Sequence, residues 1–351
     1  MNRRYNDKIL LALVLVFALV AELFVLSQIQ IHTDAANIGL GKNEIRWHKH
    51  IKTIGESQSK QTDVLFFGTS SLFNAIDTDE FKLRTGDDAI NLGLFGSFGT
   101  FGSYQLYKRW VDSSNPIPKA IVIWIDYDVW SRSLTYRDIV ITNPNILELL
   151  QFEVSKFINE PFSRSALHAP IKTVATIIKA KLRTTFNIYT YAPTIRTRLR
   201  DKFFTSTNTF DYDNNNEVTT NLSNNEHQQR LAYWSTIHNR LQDYSFNASF
   251  SNTFWLQKLV ELATNQDTKV FFSFGPLNTK ALAEPRSAVS LHSYIQDLRA
   301  YLTQINRGSA SILGNSYLLF DSTMGGDIYH VNRYGRNLIT NTFAQLYNQA
   351  L

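Results

Sequence analysis

A chain of 351 residues with 44% apolar and 19% charged residues can bury a real core; it fits one large α/β domain with insertions, or at most two domains, and is too apolar to be disordered. The absence of cysteine excludes disulfides, thiolate nucleophiles and Cys-ligated zinc. The formal charge of +5 is local: residues 161–200 hold eight Lys or Arg and no acid, so the remainder carries 5 − 8 = −3, which argues against a general nucleic-acid binder.

At the start of the chain Arg3, Arg4 and Lys8 precede an apolar run, Ile9 to Ala21, that resumes from Leu23 to Leu26 after Glu22. Residues 9–27 match the length of a bilayer span. The basic residues keep 1–8 in the cytoplasm and send the rest outside, which predicts a single-pass protein of the cytoplasmic membrane. The competing reading is a cleaved signal peptide, but no small-x-small site follows; Ser27 to His32 reads SQIQIH. Glu22 is costly in lipid and belongs near the outer interface, or against a polar group of a membrane partner. Residues 28–60 read as a polar, helical connector. His48 and His50 occur there as RWHKH with no carboxylate cluster beside them, so they read as surface residues rather than metal ligands.

Residues 61–351 read as one domain. Val64–Phe67, Ala89–Leu92, Ala120–Ile125, Lys269–Phe274 and Tyr317–Phe320 are short apolar runs, hence buried strands. Helical stretches near 101–112, 252–265 and 287–305 separate most of them, and helical periodicity continues from Gly335 to Tyr347. Such alternation predicts a parallel sheet covered on both faces, with chemistry at the carboxyl ends of its strands. A mainly helical insertion at about 140–250 interrupts it. There Ile171, Val174, Ile178 and Leu182 recur at helix spacing, with Lys172, Lys179, Lys181 and Arg183 mostly off that stripe. This is either an ordinary surface helix or one that rests on anionic lipid or an anionic polymer. Residues 205–228, rich in Asn and Thr, read as a loop.

Two segments carry reactive residue types. Phe66-Phe67-Gly68-Thr69-Ser70-Ser71-Leu72 runs an apolar strand into Gly-x-Ser with a helix following. Such a turn exposes a serine hydroxyl and aims backbone N–H groups where an oxyanion would form. Far away, Asp327-Ile328-Tyr329-His330 follows the last strand. A carboxylate three residues from an imidazole can fix its tautomer and leave the other ring nitrogen for the serine. The bland alternative is a helix cap by Asp327 beside an incidental histidine. Gly93-x-x-Gly96-x-x-Gly99 lacks the dinucleotide-binding spacing and phosphate-loop lysines are absent, so no cofactor and no metal are expected. Trp124, Tyr127 and Trp130 are the aromatics nearest the site, with core packing their default role.

Together these segments resemble the SGNH (GDSL-like) hydrolase and acyltransferase family. Gly68-Thr69-Ser70-Ser71 is similar to the family's first block, which implies Ser70 as nucleophile. Asn91-Leu92-Gly93-Leu94-Phe95-Gly96 looks like the second block, whose last glycine implies an oxyanion site made by the amides of Ser70 and Gly96. Asp327-Ile328-Tyr329-His330 matches the Asp-x-x-His of the fifth block and implies Asp327 and His330 as the partners of Ser70. The implied fold is a three-layer, flavodoxin-like sandwich. The third block departs: it reads Trp124-Ile125-Asp126-Tyr127-Asp128 and offers no asparagine, and Asp126, Tyr127 and Asp128 are taken as substrate-facing. Thr69 also replaces the first block's aspartate. The N-terminal anchor adds a resemblance to extracytoplasmic members that work beside membrane-bound O-acyltransferases. It implies a carbohydrate polymer or acyl donor as substrate, in polysaccharide O-acetylation or teichoic acid D-alanylation. The missing asparagine supports a rival: a degenerate fold serving as a binding or scaffold subunit.

Overall fold

The computed structural model describes residues 42–126, 129–132, 134–142, 144–159, 246–282, 285–306, 309–321, 323–325 and 329–351. The proposed anchor at 9–27, most of the insertion (160–245, with its basic helix and polar loop), Tyr127, Asp128 and Asp327 lie outside these residues. Among the described residues no helix is long and apolar enough to cross a membrane.

The apolar runs form strands because they are buried on both sides. Strands β1 (Val64–Phe67), β2 (Ala89–Asn91), β3 (Ala120–Ile125), β4 (Lys269–Phe274) and β6 (Ala310–Leu313) make one sheet in the order β2-β1-β3-β4-β6, parallel throughout. This order is compatible with the flavodoxin-like arrangement, with its switch point between β1 and β3. Alternate residues face opposite ways. Leu65, Phe67, Ile121, Ile123, Phe272 and Phe274 pack into one core, while Val64, Phe66, Val122, Trp124 and Phe271 pack into another.

Helices cover each core. On the first face lie α1 (Lys42–Glu56), α4 (Gly99–Asp112), α7 (Phe250–Thr264) and α8 (Pro285–Asn306), contributing Trp47, Trp110, Trp255 and Leu298. On the second lie α2 (Ser70–Ala75), α3 (Thr78–Thr85) and α9 (Arg333–Ala350), contributing Leu72, Phe81 and Phe343. Phe66 meets Phe81 and Phe343 edge-on, with ring centroids 5.2 and 5.4 Å apart. Each such buried ring contributes roughly 1.5–3 kcal/mol. Two further helices, α5 (Tyr136–Thr142) and α6 (Ile146–Asn159), begin the insertion.

Two expectations are corrected. The run at Tyr317–Phe320 is not the fifth strand of the main sheet. Its strand, β7 (Leu318–Phe320), pairs with β5 (Pro276–Asn278) in a separate two-stranded sheet. The fifth place belongs to β6, an edge strand whose Ala-Ser-Ile-Leu is only partly buried and therefore lacks a strong apolar signal. In the connector, whose residues 28–41 lie outside the described ones, Lys42–Glu56 forms α1, and His50 on it is buried, not exposed.

Candidate active site

The chain leaves β1 at Gly68, where a side chain has no room: a Cβ there would sit 2.6 Å from Trp124 Cβ on neighbouring β3. Thr69 then caps α2, its hydroxyl oxygen accepting from the Ser71 amide. Ser70 is the first residue of that helix and stays half-buried while Ser71 turns inward. The asparagine of the second segment holds the other end of α2. Asn91 Nδ2 donates to the carbonyls of Leu72 and Ile76, and its Oδ1 accepts from the Gly93 amide.

His330 arrives from the opposite end of the sequence. Its loop is closed by an antiparallel bridge between Gly325 and Val331, and Asn332 N–H donates to the Met324 carbonyl. Asn332 also caps α9, accepting from the amides of Tyr334 and Gly335. Helix α9 is tied to α2: Arg336 Nε donates to Asn74 O at 2.9 Å, and Thr340 Oγ1 donates to Ala75 O at 3.1 Å. The helices that follow His330 and carry Ser70 are thus fastened together. The result is a Ser70 Oγ to His330 Nε2 distance of 2.8 Å across 260 residues of sequence. With the imidazole proton on Nδ1, Ser70 donates to Nε2, the arrangement needed to deprotonate the hydroxyl.

Asp126, at the end of β3, was expected to face substrate. It is instead 4% exposed, and both its oxygens are engaged by hydroxyls. Thr69 donates to Oδ2 and Ser71 donates to Oδ1. The acid grips the residues on either side of Ser70 and points at the turn from behind. Gly275, after β4, leaves room for it: a Cβ there would lie 2.6 Å from Asp126 Oδ1.

The loop bearing Gly96 lies against the same turn. Leu94 N–H donates to Gly68 O at 2.8 Å, and a Cβ on Gly93 would meet Thr69 O at 2.9 Å. Helix α1 supports this loop from outside. His50 Nε2 donates to Gly93 O at 2.8 Å, Asn43 Nδ2 donates to Ser97 Oγ, and the Arg46 guanidinium stacks between the rings of Phe73 and Phe95. Burial pushes the His50 imidazole down to about 4, so it stays neutral. Sequence reading missed this support, because a histidine in a polar helix carries no sign of the carbonyl it will meet.

Arg132, just past β3, was also missed. Its guanidinium lies across Gly96, with Nη1 2.6 Å from where a Cβ would be. Among the described residues no group of three or more His, Asp or Glu is arranged to hold a metal. No protein-family model matches this chain, and no curated protein matches it.

Proposed function

We propose that this protein is an SGNH-type serine acyl-ester enzyme, a hydrolase or O-acyltransferase with Ser70 as nucleophile and His330 as its general base. The observation that carries it is the 2.8 Å contact between Ser70 Oγ and His330 Nε2, two groups 260 residues apart in sequence. Their position at the carboxyl end of β1, beside the switch point, is where open α/β sheets bind ligands. Asp327 is assigned to the Nδ1 side of His330 by the sequence resemblance.

In this mechanism Ser70 Oγ forms a bond to the ester carbonyl carbon as its proton passes to His330 Nε2. The carbonyl π electrons move to oxygen, where the amides of Ser70 and Gly96 receive the charge. Collapse of this intermediate breaks the ester C–O bond, and His330 returns the proton to the leaving alcohol. Water or a sugar hydroxyl then attacks the acyl-Ser70 through the same base. We assign the membrane-proximal, extracytoplasmic face as the site of action. The substrate class is an acylated carbohydrate polymer or acyl donor, and the partner class a membrane-bound O-acyltransferase. These assignments come from the basic, apolar N-terminus and from the family resemblance.

A fluorophosphonate probe tests the chemistry. Labelling of the full chain that is lost in Ser70→Ala and in His330→Ala is the expected result. A folded wild-type protein that stays unlabelled would reject the enzyme and favour the scaffold, whose supporting observation is that the third segment's acid is committed to the turn and offers no donor.

A further inference from the structure

We infer that Arg132 completes the oxyanion site, supplying from a side chain after β3 the positive charge that Asp126 cannot. This rests on the serine-enzyme function proposed above.

The geometry begins with the pairing of two loops. The Leu94 amide bonds to the Gly68 carbonyl, and Gly96 and Ser70 each lie two residues further on. The two amides assigned to the oxyanion thus each follow closely on this pairing. Among the described residues at β3's end, Asp126 offers no donor, because it is turned inward and holds Thr69 and Ser71. Arg132 comes from that same strand end and reaches over the loop to Gly96. Its Nη1, Cζ and Nη2 lie 2.6, 3.4 and 3.9 Å from the position of a Gly96 Cβ. Any other residue at 96 would displace the guanidinium, so glycine there serves the cation as well as the backbone.

The backbone under Arg132 is built to stay put. Its carbonyl accepts from Ser249 Oγ at 2.7 Å and from Asn252 Nδ2 at 3.0 Å. Asn252, buried on α7, donates as well to the carbonyls of Val129 and Trp130. Its Oδ1 accepts from the Thr100 amide at 3.1 Å, just beyond the Gly96–Phe98 turn. One amide side chain thus clamps the Arg132 segment to the chain that carries Gly96. Arg132 itself is exposed. A guanidinium there presents planar donors and a full charge to an oxygen that gains charge only during reaction, the condition for rate acceleration. Arg46 is differently placed, its face taken up by Phe73 and Phe95.

The test is the rate of fluorophosphonate labelling of the full chain. In that step Ser70 Oγ bonds to phosphorus, the P–F bond breaks, and the serine proton leaves through His330 as the phosphoryl oxygen carries the transient charge. Arg132→Ala is expected to label about a hundredfold more slowly. Lys at 132 should be intermediate, Glu slower than Ala, and all three should melt with the wild type. Added guanidinium chloride at non-denaturing concentration should restore part of the Arg132→Ala rate, an effect no structural role would produce. Wild-type labelling rates in Arg132→Ala would overturn the inference, and would place the arginine with anionic groups of the natural substrate that this neutral probe lacks. Slow labelling without guanidinium rescue would overturn it as well. Failure of the wild type itself to label would remove the proposed enzyme, and the inference with it.

Discussion

Strands β1 and β3 are neighbours in the sheet, and each ends by delivering a polar side chain to the same rim. Ser70 is half-open and its hydroxyl meets an imidazole. Asp126 is buried, and each of its carboxylate oxygens accepts from a hydroxyl. Equivalent positions on a parallel sheet therefore do opposite work: one side chain is presented and the other holds it in place. The prior hydrogen-bond commitments of a side chain, not its address at a strand end, decide whether it is free to react.

The largest break in this comparison should come from Asp126→Ala. It strands the hydroxyls of Thr69 and Ser71 in a buried place, at about 1–3 kcal/mol each. A loss of roughly 2–5 kcal/mol in urea unfolding is expected, with slower Ser70 labelling. Asp126→Asn, of the same shape, should recover most of the stability. Unchanged stability and labelling in the alanine variant would show that the acid does not hold the turn.

His50 extends the comparison to the loop on the far side of Ser70. Its folded-state value lies at about 4, below the ordinary 6.5. Between those values the unfolded chain binds the extra proton, so stability falls as pH drops from 6.5 to 4 and levels off below. The slope integrates to roughly 3 kcal/mol. Melting curves at pH 7 and pH 4.5 should converge in His50→Gln relative to the wild type; an equal pH dependence in both would rule out this source.

Gly68→Ala sharpens the contact between the two strand ends. A methyl group against Trp124 Cβ forces β1 and β3 apart, at a cost of about 1–3 kcal/mol. Because the shift occurs two residues before Ser70, labelling should slow more than stability falls. The smallest effect belongs to Thr69→Ala, which removes the cap of α2 and one of Asp126's two donors, for about 1 kcal/mol. Thr69→Ser should behave as wild type, since the hydroxyl alone is used.

Much of this architecture is legible in the chain before any coordinates. Val64–Phe67, Ala120–Ile125 and Lys269–Phe274 are unbroken apolar runs because both sheet faces are covered, and they stand where periodicity puts them. Ser70 and His330 are legible through a strand-to-helix turn and a family resemblance, and the fold brings the pair together. What is hidden is partnership. Ala310–Leu313, interrupted by Ser311, is not picked out as a strand and takes an edge place, while Leu318–Phe320 pairs in another sheet. Asp126 reads as substrate-facing and His50 as a surface residue, and nothing in the helical pattern of 252–265 singles out Asn252. Each is buried because of what it bonds, and no composition or period encodes a partner 40 to 150 residues away.

Helix α1 deserves weight beyond its size, because Asn43, Arg46 and His50 all touch the loop that carries Gly96 or its immediate neighbours. A fragment trimmed to begin after Glu56 would keep every strand of the described residues yet lose the outer support of the loop beside Ser70. The helix also shortens the tether. If the bilayer span proposed at 9–27 is right, residues 28–41 separate it from α1, a length of chain that could reach at most about 50 Å. Under the function proposed above, Ser70 and His330 would then stay within a bounded distance of the lipid surface.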